Sequence, residues 1–159
     1  MDTSAPASAC RHATLRITTC APTGFTDLTD QLERVIDNAG IRFGLLNVQT
    51  LHTTTGVIVN EHEPLLLSDF QALLEAVVPA HGGYRHDDTA VRTVNLNHPE
   101  RTNGHAHCRA LLLPSSACLN VVEGRLRHGR WQRVFLVELD GPREREVSVL
   151  LVATCGGAE

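Results

Sequence analysis

The sequence has no CxxC pair and no zinc-finger spacing. Its five cysteines, Cys10, Cys20, Cys108, Cys118 and Cys155, are odd in number and scattered along the chain, which argues against a disulfide framework or a cysteine-built zinc module. They read as reduced thiols, with the cytoplasm as the expected location. A secretory leader is also missing, since MDTSAPASAC offers neither a basic n-region nor an apolar h-region. No aliphatic run approaches the roughly 20 residues of a membrane helix, so no export, anchoring or spanning is expected. An excess of positive charge is absent too. With 14 Lys+Arg against 18 Asp+Glu the net charge is −4, the wrong balance for wrapping nucleic acid or adhering to an anionic membrane. Neither partner is expected, whereas a small anionic ligand fits wherever arginines cluster locally. There is no internal repeat, and low complexity is confined to the small, polar first residues. These observations predict a disordered N-terminal tail over residues 1–10 and a single domain over 11–159. A chain of 159 residues buries about two-thirds of its unfolded surface, so neither metal nor disulfide is required merely to hold the fold.

What is present reads mostly as strand. Alternation of Ala13, Leu15 and Ile17 with Thr14, Arg16 and Thr18 predicts a half-buried strand over 13–19. A helix follows, capped by Thr26, with Asp27 and Asp30 in its first turn and Leu28, Leu32, Val35, Ile36 and Ala39 on one stripe. Gly40 is its stop signal. Residues 42–51 and 57–59 read as strands around the polar break His52-Thr53-Thr54-Thr55-Gly56. A second helix is predicted over 66–78, with Pro64 near its start and Pro79 after its end. Residues 79–103 read as a long functional loop, in which 91–96 is a candidate short strand. A short helix over 107–113 ends at Pro114. Strands over 118–122, 131–139 and 147–154 then suggest an antiparallel meander. Two main helices against many strands, without βαβ alternation, predict an α+β domain of stacked, mostly antiparallel sheets.

Nine histidines are many, and most have nothing around them to mark a ligand. His52 at a broken strand, His86 within Tyr84-Arg85-His86-Asp87-Asp88, and His107 at a helix start are distinctive. Three imidazoles with an open coordination position suit a catalytic divalent metal, and Asp87 or Glu61 could orient the rings. Their spacing matches no local metal motif, so spacing alone favours a structural role. Ser115 and Ser116 offer hydroxyls and backbone N–H groups to an anion, or simply form a turn. Arg109, Arg125, Arg127, Arg130 and Arg133 suit phosphate oxygens, or form a solvated face. Trp131, the single tryptophan, reads as a packing anchor.

Several of these segments together resemble a known family. Ser116, Leu119, Val121, Gly124, Gly129, Trp131, Gln132 and Val134 follow its Ser-aliphatic-Gly and Gly-Thr-Trp-Gln pattern, with Arg130 standing at the usual Thr. His52-Thr53 through Asn60-Glu61, Tyr84-Arg85-His86, and Asn103 through His107 to Arg109-Ala110 match its other elements, while Pro114 stands where the family has Gly. The chain thus resembles the YjbQ-like family of uncharacterised proteins, also labelled secondary thiamine-phosphate synthase enzymes, from about Leu15 to Val152. The resemblance implies a homotrimer and a divalent metal on His52, His86 and His107, with zinc expected at the histidines or magnesium accompanying a diphosphate. It implies a small phosphorylated metabolite as substrate. The implied reaction is thiamine-phosphate synthesis, joining a hydroxymethylpyrimidine diphosphate to a thiazole phosphate with release of pyrophosphate. Glu61 and Arg109 are the catalytic candidates, and Ser115, Ser116 and Arg130 the anion-binding ones. His105 is expected to be a bystander. The alternatives are a metal-dependent phosphohydrolase and a non-catalytic metal- or metabolite-binding trimer.

Overall fold

In a computed structural model, residues 10–96, 99 and 101–153 are described. Among the described residues, eight strands build two antiparallel sheets. The larger sheet has the order β1 (Cys10–Thr18), β8 (Glu144–Ala153), β3 (Gly44–Thr50), β5 (Ser116–Val122) and β6 (Arg125–Leu126). The smaller has the order β2 (Gly24–Asp27), β7 (Gln132–Glu138) and β4 (Thr55–Glu61). The α+β, stacked antiparallel architecture expected from the sequence is therefore present, with crossovers in place of a simple meander. Of the expected tail, residues 1–9 lie outside the described residues and Cys10 already pairs with Val152. The predicted strand end at Thr154 also lies outside the described residues.

The core follows from strand alternation. Leu46 and Val48 of β3, Leu119 and Val121 of β5, and Val147, Val149 and Leu151 of β8 point inward against Val57, Val134 and Leu136 of the smaller sheet. Helix α1 (Thr29–Ala39) closes this layer with Leu32 and Ile36. β7 is buried on both faces from Val134 to Glu138, because α2 (Pro64–Val77) and α3 (Gly104–Leu111) cover its other side, packing Leu74 and Ala106 near Val137 and Leu139. At about 25 cal/mol per Å² of apolar area removed from water, this two-sided burial makes β7 the main apolar anchor of the fold.

Several local expectations are corrected. Thr26 does not cap α1, since it pairs with Leu136 in β2. Asp27 accepts the Thr29 N–H instead (2.9 Å), and the buried Thr29 hydroxyl accepts the Val134 N–H (2.8 Å), so tertiary bonding sets the helix start. Gly40 ends it as expected, at φ 65°. Glu63 caps α2 through the Leu65 and Leu66 N–H groups. No strand forms over 91–96. Arg92 instead donates to the carbonyls of Val94 and Asn95, folding that segment on itself. α3 begins at Gly104 rather than His107, for a reason that bears on the site.

Candidate functional site

Asp87 closes a one-turn 3-10 helix (Arg85–Asp87), and its Oδ1 accepts the N–H groups of Asn103 (2.9 Å) and Gly104 (2.8 Å). A carboxylate supplied from elsewhere thus satisfies the orphan donors at the start of α3. The same contact draws the turn against the helix. A Cβ on Gly104 would lie 2.4 Å from the Tyr84 Cβ, so only glycine allows this approach. One consequence is that His86 meets His107, with ring centroids 4.6 Å apart.

His52 arrives from the break between β3 and β4. The Thr50 and Thr55 hydroxyls bond across that break (2.5 Å), and Thr50 also accepts the His52 N–H, which accounts for the threonine-rich sequence. His52 and His107 share a cavity of about 560 Å³ that also contacts Ser115. The Ser115 carbonyl accepts the Thr50 N–H, and Pro114 accepts that of Val57, so this loop laces the two sheets together. The His52 Nε2, however, accepts the Glu146 N–H at 2.8 Å. In a neutral ring the proton then sits on Nδ1, leaving no lone pair for a metal. Burial, followed by the Arg145 charge behind it, holds His52 below the ordinary imidazole pKa. Burial and then the neighbouring His86 do the same for His107.

The structure therefore brings His86 and His107 together and leaves His52 turned to the backbone. Among the described residues, no three His, Cys, Asp or Glu side chains are placed to share a metal ion. The residues present fit two ligands and do not fit a preformed three-histidine centre.

The remaining expected site residues fall elsewhere. Arg109 is buried at 3% exposure and faces away from His107. Its Nε donates to the Val78 carbonyl (2.9 Å), and its Nη groups reach Thr23 and Glu75, tying α3 to α2. Glu61 ends β4 opposite Gln132, about 20 Å along the strand from the His52 break at the usual rise per residue. Arg130 lies near that same distant end, stacked on Trp131 at 4.6 Å. Trp131 is 61% exposed, so it is not the packing anchor its hydrophobicity suggested. Ser116 sits in β5 opposite Gln49. Arg133 is spent on Asp27 and Asp30.

A different set of arginines gathers beside His86 and His107. Arg85, Arg92, Arg101 and Arg143 line one cavity of about 820 Å³ with the two histidines. Local clustering could not reveal them, because three of the four come from the long loop and the fourth from the start of the last strand region. One available signal was composition: the chain contains no lysine, so all 14 basic residues are arginine, the side chain suited to forked recognition of oxyanions.

The sequence and the two-sheet fold have counterparts in known proteins. The model of the family described as UPF0047 protein YjbQ-like matches residues 13–154. The chain belongs to this family. A UPF0047 protein of Archaeoglobus fulgidus is 42% identical over 77% of this chain and 86% of its own length. One from Methanothermobacter thermautotrophicus is 37% identical over 77% and 78%. Among solved structures, a YjbQ-like protein of unknown function from Sulfolobus solfataricus superposes with a TM-score of 0.82 at 29% identity, covering 92% of this chain and 99% of that one. A hypothetical protein of Aeropyrum pernix gives 0.80 at 33%, covering 91% and 99%. The YjbQ-like fold is thus shared with these solved structures. No helix among the described residues is long and apolar enough to cross a membrane.

Proposed function

We propose that this protein is an enzyme acting on a small phosphorylated metabolite held in the arginine-lined cavity. The observation that carries this reading is the meeting of Arg85, Arg92, Arg101 and Arg143 with His86 and His107 on one cavity of about 820 Å³, within the roughly 300–1,000 Å³ typical of small-molecule sites. Guanidinium groups on a concave wall neutralise phosphoryl oxygens and fix their orientation. Within that class we infer thiamine-phosphate synthesis. A C–O bond to the departing diphosphate breaks while a C–N bond to the thiazole nitrogen forms. The chain's contribution is to bind the diphosphate and stabilise its charge as it leaves. Ser115 lines the adjoining cavity with His52 and His107, and we keep its hydroxyl as a candidate oxyanion donor there; Arg109, Glu61 and Arg130 are not part of this proposed site.

A divalent metal belongs to the proposal as a ligand of His86 and His107, with His52 joining only if it gives up the Glu146 N–H. Metal content of wild type, His86→Ala and His107→Ala after loading with zinc checks it, and equal zinc in all three refutes it. Assembly as a homotrimer is also proposed. It is supported by the open outer face of the larger sheet, where paired Leu45 and Val152 and nearby Leu150 are solvent-exposed. Sedimentation of the full chain tests it.

The central test is calorimetric titration with pyrophosphate and orthophosphate, followed by product analysis on the two proposed substrates. Pyrophosphate should bind, and Arg101→Ala should weaken it about tenfold, roughly 1.4 kcal/mol. Release of orthophosphate instead of pyrophosphate would favour a phosphohydrolase. Binding without turnover would favour a metabolite-binding protein.

A further inference from the structure

We propose that Asp140 is the positioning residue of the arginine-lined cavity, aiming Arg101 and Arg143 so that it selects a diphosphate over a single phosphate. This rests on the cavity being a phosphate site and adds the residue that sets its selectivity. Asp140 is buried in the turn between β7 and β8. Its Oδ2 accepts from Arg143 Nη2 (2.6 Å) and from Asn103 Nδ2 (2.9 Å). Its carbonyl accepts from Arg143 Nε (3.0 Å) and Arg101 Nη1 (3.3 Å). Arg101 also stands 4.0 Å from the other carboxylate oxygen, Oδ1.

Both guanidinium groups thus share the Asp140 carbonyl, while the carboxylate itself hydrogen-bonds Arg143 and Asn103 and faces Arg101 at ion-pair distance. Arg143 commits Nε and one Nη2 hydrogen to Asp140, so its free donors are those at the Nη1 side of the plane. Among the described residues, Arg101 hydrogen-bonds through Nη1 only. Two cations fixed on one residue in this way offer two anion positions on the cavity wall that Arg85 and Arg92 also line. Asn103 adds a second link, because it stands immediately before α3 and so connects the arginine wall to the histidine wall.

Asp140 is itself held firmly. Its N–H donates to Glu138 Oε1 (2.9 Å), and Glu138 is paired with Arg145 inside the protein. The next residue, Gly141, packs so tightly that a Cβ would lie 2.2 Å from the Ala21 carbonyl oxygen. A carboxylate anchored this way can act as a fixed reference for the long arginine side chains.

Two physical models make opposite forecasts for Asp140→Asn. If Asp140 only subtracts charge, the substitution strengthens binding of every anion. If it positions the arginines, the substitution weakens pyrophosphate although the cavity becomes more positive. Titration of wild type, Asp140→Asn and Arg143→Lys with pyrophosphate and orthophosphate at fixed ionic strength decides between them. We expect Asp140→Asn to lose about tenfold in pyrophosphate affinity and less than about threefold in orthophosphate affinity. Arg143→Lys, which keeps the charge and loses the two-pronged contact, should reproduce this loss of selectivity if Asp140→Asn does not fold. Tighter binding of both anions, or equal weakening of both with a fall in melting temperature, overturns the proposal. If wild type binds pyrophosphate and Asp140→Asn matches it, this inference alone fails. If wild type binds neither anion, the cavity reading fails and takes this inference with it.

Discussion

The two sides of α3 carry similar chemistry and do different work. On one side Arg109 and His105 face α2, and the guanidinium of Arg109 is committed to the Val78 carbonyl, Thr23 and Glu75. On the other side His107 meets His86 beside four arginines around an open cavity. A cation whose donors are satisfied by buried protein groups stabilises the fold. A cation that keeps donors toward a cavity can bind a ligand. Position in the sequence does not distinguish them, since Arg109 and His107 are two residues apart.

The sharpest way to test the structural side is Glu138→Ala. Glu138 accepts both Arg145 prongs as well as the Leu139, Asp140 and Thr19 donors. Burial works against its charge, yet the Arg145 bonds and the other donors outweigh it and hold its pKa low. Removing it leaves Arg145 buried and unpaired, which should cost about 3–5 kcal/mol in urea unfolding. A loss within experimental error of zero would show that Arg145 finds another partner.

Arg109→Ala comes next. With the guanidinium gone, the Val78 carbonyl loses its donor and a buried space opens, so stability should fall by about 2–3 kcal/mol. Pyrophosphate affinity should hold for whatever fraction stays folded. A selective loss of affinity at unchanged stability would return Arg109 to the site.

Gly104→Ala tests how the cavity side is built. Its Cβ meets the Tyr84 backbone-linked Cβ, and relieving that contact should cost about 1–3 kcal/mol while moving His86 away from His107. Two-dimensional NMR of the histidine rings would report the separation, and unperturbed His86 and His107 signals would argue against it.

The smallest effect is expected from pH. His52, His105 and His107 are held below the ordinary imidazole value of 6.5, in each case by burial first. The folded state then takes up protons less readily than the unfolded chain. Stability from these groups is complete above about pH 6.5, declines as pH falls below it, and is lost once the folded-state values are passed. Denaturation midpoints between pH 8 and 5 should follow that course, and a His107→Gln variant should flatten it slightly.

Much of the fold was legible in the sequence because its signals are local. The period-two alternation of Ala13, Leu15 and Ile17, the stripe from Leu32 to Ile36, and the Gly40 stop each depend on near neighbours. The failures share a cause. Thr26 had the chemistry of a cap but was taken by the β2 ladder, and the α3 start was set by Asp87 from another segment. The histidines were visible as a set through the matching motifs, whereas the Glu146 N–H on His52 comes from a distant strand that no motif contains.

By itself, then, the sequence determined the strand and helix pattern, the family, and the segments that carry His52, His86 and His107. Only the tertiary structure set which cations tie elements of the fold together away from the cavity and which gather on its wall. Arg109 and Arg133 lie in the densest basic stretch and are neutralised inside the fold or on its surface. Arg85, Arg92, Arg101 and Arg143 are dispersed along the chain and meet around one cavity. The physical reason is that a guanidinium's role depends on what fills its five donor positions. Those partners are supplied by chain crossings, such as Asp140 with Arg101 and Asn103, that no local pattern records.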